Sequence, residues 1–329
     1  MMANTPKLFT KEDFLPKTGN PFPAESTAAF VNESAIIDGY DEIFVSNPRH
    51  YPVFAKIDQL RLLGLAQPGK RKRALRVLAP SGSGKTTIIL KYAEKLEARL
   101  PEEDKGLCRP VVVLSVHPKI KVRGWWVAVL TELGDELISA SDTEEVLRRR
   151  AYTQIANHGV ELLVIDEVQH LAVGSKMTDE VTDRLKRFLD DGIVPLVLVG
   201  TSEAKDMLQS NVQLSNRMMP PADIEPYTTS KQDRKDFAGF LQRLDRAIVA
   251  KNLMPKTAGL GDGLIPACIM EVSGGRLGMA VNLVRVALGR ACRREAEMIE
   301  LCDLQSATET WAVDQAIILK NPFFAEVGG

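Results

Sequence analysis

The sequence has 329 residues, 45% of them hydrophobic, and a formal net charge of −1. That length suits one large or two modest domains of about 100–200 residues each, and the composition excludes wholesale disorder. The near-zero charge excludes a globally basic coat for nucleic acid, so any DNA contact must come from a local patch. The cysteines, Cys108, Cys268, Cys292 and Cys302, form no C-x-x-C pair. They read as reduced, buried thiols rather than a zinc set. No apolar run approaches the ~20 residues that cross a bilayer, and Met1 to Lys17 has no continuous apolar stretch of the secretory kind. The expectation is a soluble cytoplasmic protein.

Residues 1–50 carry prolines at 6, 16, 21, 23 and 48 and hold no helical period. They are expected to form an extended arm. Asn20-Pro21-Phe22 recurs as Asn321-Pro322-Phe323, a match short enough for coincidence. From about residue 51 strands and helices alternate. Arg76–Ala79 reads as a short strand running into a Gly-rich turn, and 86–100 as a helix with Ile89, Leu96 and Leu100 on one face. Val111–Val116 is a β-branched strand. Helices are expected over 125–138 and 144–157, a buried strand over 162–165, a helix over 178–189 and a strand over 194–199, with Pro195 tolerable only near its start. This alternation predicts an α/β domain whose parallel sheet is covered by helices on both faces. After about residue 228 the strands stop. Helical patterns over 232–250, 264–272, 279–298 and 304–319 predict a smaller helical domain. The expected division is an arm at 1–50, an α/β nucleotide-binding domain at 51–228, a helical lid at 229–320 and a tail at 321–329.

Two motifs carry chemistry. Ala79-Pro-Ser-Gly-Ser-Gly-Lys-Thr86 matches G-x-x-x-x-G-K-[ST] except that Ala79 replaces the first glycine. In such a loop Gly82 and Gly84 let the backbone turn successive N–H groups, those of Ser81 to Thr87, toward one anion. Lys85 brings positive charge to the β- and γ-phosphates of ATP, and Thr86 offers its hydroxyl to Mg²⁺. The following helix directs its positive end at the phosphates. The second motif, Leu162-Leu-Val-Ile-Asp-Glu167, is a buried strand ending in two acids. Asp166 lands where it can hold hydrated Mg²⁺, and Glu167 where it can polarise the attacking water. The two motifs are separated by one strand. Together they predict ATP hydrolysis, since a kinase would need an acceptor site as well. A third strand runs into Gly200-Thr201, and Thr201 is placed to orient water or the γ-phosphate, or else simply caps the strand.

Over about residues 50–300 these features together resemble an AAA+ ATPase. The resemblance implies two arginines. Arg217, in Leu214-Ser-Asn-Arg-Met218, resembles the finger that reaches a neighbouring subunit's nucleotide. Arg276, in Ser273-Gly-Gly-Arg-Leu277, resembles the sensor that touches the γ-phosphate from within the same chain. A narrower likeness lies in Leu162-Leu-Val-Ile-Asp-Glu-Val-Gln-His-Leu171, Leu196-Val-Leu-Val-Gly-Thr-Ser-Glu-Ala204 and Gln213-Leu-Ser-Asn-Arg217. These strings are similar to the transposition-regulator ATPases of the TniB and TnsC type. That resemblance implies ATP-driven rings or filaments, hence a homo-oligomer, around duplex DNA. It also implies a target-selector protein and a transposase as partners.

Basic segments offer DNA sites and also bland readings. Lys70-Arg-Lys-Arg73 usually means a solvated loop. Arg148-Arg-Arg150 spreads over several helix faces and suits a subunit or solvent contact. Arg290, Arg293 and Arg294 share a face and have acids to meet. Lys119, Lys121 and Arg123 alternate after a strand, and in an extended segment that spacing puts all three on one side. They are the expected DNA track, against the alternative of a solvated loop. The rival function is a protein-directed AAA+ chaperone or clamp-loader-like switch. The small side chains of Ala172-Val-Gly-Ser175 argue against threading polypeptide.

Overall fold

The computed structural model describes residues 24–116, 122–172 and 175–324. The chain forms two compact units. Of the described residues, Arg49–Glu225 make the first, and those up to Pro48 join those from Pro226 onward in the second. The first helix, α1 (Ala24–Asp41), belongs to the second unit.

The first unit opens with α2 (His50–Leu65) and then alternates as its sequence pattern predicts. Its elements are β1 (Ala74–Leu78), α3 (Lys85–Glu97), β2 (Val111–Ser115), α4 (Val122–Glu132), α5 (Glu144–Asn157), β3 (Leu162–Asp166), α6 (Ser175–Asp190), β4 (Leu196–Gly200) and the short α7 (Ala204–Ser210) and α8 (Val212–Ser215). The four strands are all parallel, in the order β1-β4-β3-β2. Alternate residues feed two cores. Leu78, Val112, Leu114, Leu163, Ile165 and Leu198 pack on one face with residues of α4 to α8. Leu75, Val77, Val111, Val164, Val197 and Val199 pack on the other with α2 and α3. Burial on both faces explains why these strands read as unbroken apolar runs.

The helix expected over 125–138 ends at Glu132, because Gly134 takes a left-handed conformation (φ 76°) and stops it. It begins earlier, at Val122, so Arg123 lies in a helical turn and not in an extended run. The edge of β1 away from β4 is covered by 217–224. Ala74 donates to the Arg217 carbonyl, and Met219, Ala222 and Ile224 donate to the carbonyls of Ala74, Arg76 and Leu78. Asp223 stands in for a missing strand carbonyl. Its Oδ1 accepts the Leu78 N–H at 2.9 Å, and its Oδ2 accepts from Arg76 Nη2 at 2.6 Å. With Pro220 and Pro221 inside it, this segment closes the edge without offering a new one.

The second unit is helical among its described residues. It contains α1, α9 (Lys231–Ala250), α10 (Ile265–Ser273), α11 (Leu277–Arg293) and α12 (Leu301–Ala307), followed by a wider π-turn over Thr308–Val313. The expected extended arm is corrected here, for α1 is a helix packed along α11. Ile36 and Ile37 pack against the core, the Tyr40 hydroxyl donates to the Val281 carbonyl at 2.8 Å, and Asp41 and Glu33 pair with Arg285 and Arg293. The arm reads as irregular because four of its five prolines precede the helix and the fifth, Pro48, follows it. Proline at 23 stands just before Ala24, where a helix tolerates it. α11 stops at Arg293, short of the expected 298, with Glu295 at φ 56°. Buried Asp245 ties the loop after α9 by accepting the N–H groups of Ala258, Gly259 and Leu260. The second Asn-Pro-Phe is a docked turn. Asn321 donates to the Gln305 carbonyl at 2.8 Å, and Phe323 is buried in the core. The first lies outside the described residues.

His50, at the start of α2, is buried to 7% exposure. Burial, with a smaller push from the charge on Lys95, lowers its imidazole to about 4. An unfolded histidine titrates near 6.5, so between those values the unfolded chain binds the extra proton. Stability is therefore full above about pH 6.5 and falls as the pH drops toward 4, by up to about 3 kcal/mol. Urea unfolding of the first unit across pH 7 to 4 should show this loss, and His50→Gln should lack it.

Candidate nucleotide site

The loop between β1 and α3 has the conformation that its glycines allow. Gly82 (φ 75°) and Gly84 (φ 83°) are both left-handed, and Gly84 caps α3. Ala79 is not among the residues with positive φ, so the alanine costs nothing there. Its N–H donates to the Gly200 carbonyl at 3.0 Å, which fastens the loop to the end of β4. The first intrahelical bond is Ile88 to Gly84. The N–H groups of Lys85, Thr86 and Thr87 therefore remain available at the positive end of the helix.

Three observations fit this loop to a phosphate and a divalent cation. The Ser83 hydroxyl is buried with no hydrogen-bond partner among the described residues. Lys85 is only 6% exposed, a position where an ammonium wants an anion. The Thr86 hydroxyl donates to Asp166 Oδ2 at 2.5 Å, so the two oxygen groups expected to share Mg²⁺ converge on one point. Asp166 is buried at the end of β3, and its Oδ1 accepts the Glu167 N–H at 2.8 Å. Glu167 follows in a left-handed conformation (φ 57°), rare for a residue with a side chain. A cleft of 470 Å³ opens beside these groups, lined by Thr86, Leu90, Glu94, Ser115, Asp166 and Glu167 among others.

Because β4 lies between β1 and β3, Thr201 sits at the same edge of the sheet. Its hydroxyl is buried without a partner among the described residues. Its N–H donates to Gln169 Oε1 at 3.1 Å, and Gln169 Nε2 donates to the Glu167 carboxylate. Sequence reasoning quoted Gln169 only as part of a string. Its link to Thr201 exists only once β3 and β4 are paired.

The arginines are placed differently. Arg217 is held by Asp190 through paired bonds, Nε to Oδ1 at 2.8 Å and Nη2 to Oδ2 at 2.9 Å. Its carbonyl meets Ala74, at the opposite end of β1 from the loop and so about 13 Å away along the strand. Arg217 is thus not part of this chain's own phosphate cluster. Arg276 lies in the second unit, at the N-cap of α11, where its Nε donates to the Ser273 carbonyl at 2.9 Å.

Several of the basic side chains have partners within the fold. Lys72 is buried and caps α2 by donating to the Gly64 and Gln67 carbonyls at 2.7 and 2.6 Å, and Arg71 lies 3.6 Å from Asp190. The solvated-loop reading is corrected for Lys72, whereas Arg71 stays exposed. Arg148, Arg149 and Arg150, read as a subunit or solvent contact, pair with Glu145, Asp191, Asp135 and Asp142. Arg294 meets Asp303 as anticipated. Arg123 donates to the Ser139 and Asp142 carbonyls at 2.6 and 3.3 Å, while Lys119 and Lys121 lie outside the described residues.

With this geometry in hand, residues 47–226, more than half of the chain, match the family described as bacterial TniB protein. The chain belongs to the TniB family. No curated protein matches it. Among solved structures, this TniB-family chain is similar to the Aeropyrum pernix ORC1 protein in complex with DNA (TM-score 0.58, 19% identity, covering 81% of this chain and 66% of that one). It is also similar to the Aeropyrum pernix ORC2 protein in its ADPNP–ADP complexes (0.61, 12%, 83% and 70%) and to Cdc6p from Pyrobaculum aerophilum (0.57, 15%, 83% and 70%). The chain spans about two thirds of the length of these proteins. The fold is that of a P-loop AAA+ ATPase. No described helix is long and apolar enough to cross a membrane.

The loop geometry makes Lys85 the sharpest test of the site. Lys85→Ala should abolish binding of a fluorescent ATP analogue while leaving thermal unfolding within a few degrees of wild type. Unchanged affinity would remove the phosphate assignment.

Proposed function

We propose that this chain is an ATP-hydrolysing, DNA-binding regulator of transposition. In this reading it assembles as rings or filaments on duplex DNA and links a target-selector protein to a transposase. The observation that carries the ATPase part is the convergence of Lys85, Thr86, Asp166 and Glu167 at one edge of the sheet. Family membership supports the transposition part. The DNA part draws on the same membership and on the Aeropyrum pernix ORC1 protein, which shares the fold and is in complex with DNA.

The residues divide the work among them. The N–H groups from Ser81 to Thr87 and the Lys85 ammonium bind the phosphates. Thr86 and Asp166 hold Mg²⁺, which when bound neutralises charge on the β- and γ-phosphates. Glu167 accepts the proton of the attacking water, and Thr201 orients the γ-phosphate from the end of β4. Arg217 acts on a neighbour's nucleotide after exchanging Asp190 for phosphate, and Arg276 serves as the sensor arginine.

Two measurements test this. Glu167→Gln keeps the size of the side chain but cannot take a proton. It should bind ATP with near wild-type affinity, lower steady-state hydrolysis by about 100-fold or more, and lengthen the life of any assembled state. Hydrolysis at the wild-type rate would exclude Glu167 as the base. For DNA, retention on a duplex should need ATP, ignore sequence and weaken steeply with salt. Replacing Lys119 and Lys121 by Ala should flatten the log–log salt slope by about 2, one for each phosphate left without its lysine. Arg123→Ala should change it less, since that side chain already serves two carbonyls. An absence of ATP-dependent duplex retention in the wild type would favour a protein-directed switch.

A further inference from the structure

The Glu167 carboxylate does not stand alone. Glu167 lies outside the strand in a left-handed turn, and among the described residues its side chain is held by Gln169 Nε2. Gln169 sits in a 3₁₀ turn (Val168–Ala172) whose other anchors, Val168 and Leu171, are buried at 0% and 3% exposure. That turn cannot shift without opening the core. A carboxamide has one accepting and one donating end. The accepting end of Gln169 is taken by the Thr201 N–H at 3.1 Å, so the donating end must face Glu167.

Gly200 reveals how closely this bridge is fitted. A Cβ there would stand 2.6 Å from Gln169 Oε1 and 2.8 Å from Val168 Cγ1. The backbone at Gly200 does not have positive φ. Space therefore favours glycine there, because the Gln169 amide and the buried Val168 side chain together fill the room a Cβ would take. The Gly200 carbonyl also receives the Ala79 N–H at the root of the phosphate loop. Loop, Thr201, Gln169 and Glu167 thus form one connected chain of hydrogen bonds across β4.

We propose that Gln169 is a positioning residue, which holds the Glu167 carboxylate against the end of β4 and couples its placement to Thr201. This rests on the reading of Glu167 as the base. A donor fixed on both sides restricts the carboxylate to one orientation, which a catalytic base needs and a solvated glutamate lacks. When Thr201 shifts on meeting a γ-phosphate, the amide carries that shift to Glu167.

Gln169→Glu separates the two ends of the bridge. It is isosteric and still accepts the Thr201 N–H, but at neutral pH it cannot donate to Glu167. It should lower kcat at least ten-fold with KM and the affinity for a fluorescent ATP analogue within three-fold of wild type. Gln169→Leu, uncharged, should show the same split. Wild-type kcat in either variant, with nucleotide affinity retained, would overturn the proposal. Glu167→Gln, measured alongside, reports on the base separately: if it alone hydrolyses normally, the base reading fails. A second readout needs no turnover. In the nucleotide-free chain, the melting-temperature losses of Gln169→Leu and Glu167→Ala should sum to more than the loss in the double variant, because the Gln169–Glu167 bond is removed by each, while the Thr201 bond is lost only with Gln169. Additive losses would overturn the hydrogen bond itself.

Discussion

The site depends on β4 lying between β1 and β3 in a wholly parallel sheet. Parallel pairing gives all the strands one carboxyl edge, and the register sets which residues stand together there. Leu78 pairs with Gly200 and Ile165 with Leu198, so the phosphate loop, Thr201 and Asp166-Glu167 leave the sheet side by side. Slipping any strand by one residue would send its core face to the opposite layer. The apolar residues on both faces therefore hold the polar groups in place. The meeting of the Thr86 hydroxyl with Asp166 is a consequence of packing far below them.

The same economy governs the charges. A chain of net charge −1 has few cations to spare, and the fold uses many of them. Lys72 closes α2, Arg76 braces the covered edge of β1, and Arg150 pins the loop after α4. Pairs near the surface add little stability individually. Their larger effect is to neutralise basic side chains that could otherwise face DNA. A DNA surface on this chain must therefore be local, and the run from Lys119 remains its place in the proposed reading. The grip of Asp190 on Arg217 is of another kind, since both oxygens are used and the guanidinium is half-buried. An arginine held this way is released only to a partner that is as good an acceptor, and a phosphate is one.

In the second unit, the N-terminal helix and the C-terminal turn are both held by side chains that a linear reading passes over. Glu33, Tyr40 and Asp41 secure α1 along α11, and Asn321 and Phe323 secure the last described turn on α12. These bonds join positions more than 200 residues apart for α1 and about 16 for the turn. Neither follows from a local period.

The sequence alone determined the alternation of strands and helices, the parallel sheet, the phosphate loop and the acidic strand end. Each of these is local: apolar runs, glycines at two turning points, acids at the end of a strand. It also determined the family, through strings that lie on those same elements. Helix ends were less legible. Gly134 was the stop signal for α4 and competed with an apolar pattern that continued past it. Tertiary structure alone decided which side chains meet. Gln169 and Thr201 are 32 residues apart, and only the pairing of β3 with β4 brings the amide to the N–H. Arg217 and Asp190 are 27 apart, and their bond is made where the end of α6 passes the segment beside β1. A side chain's hydrogen-bond partner is set by the packing of whole elements, and no property of its neighbours in sequence encodes it.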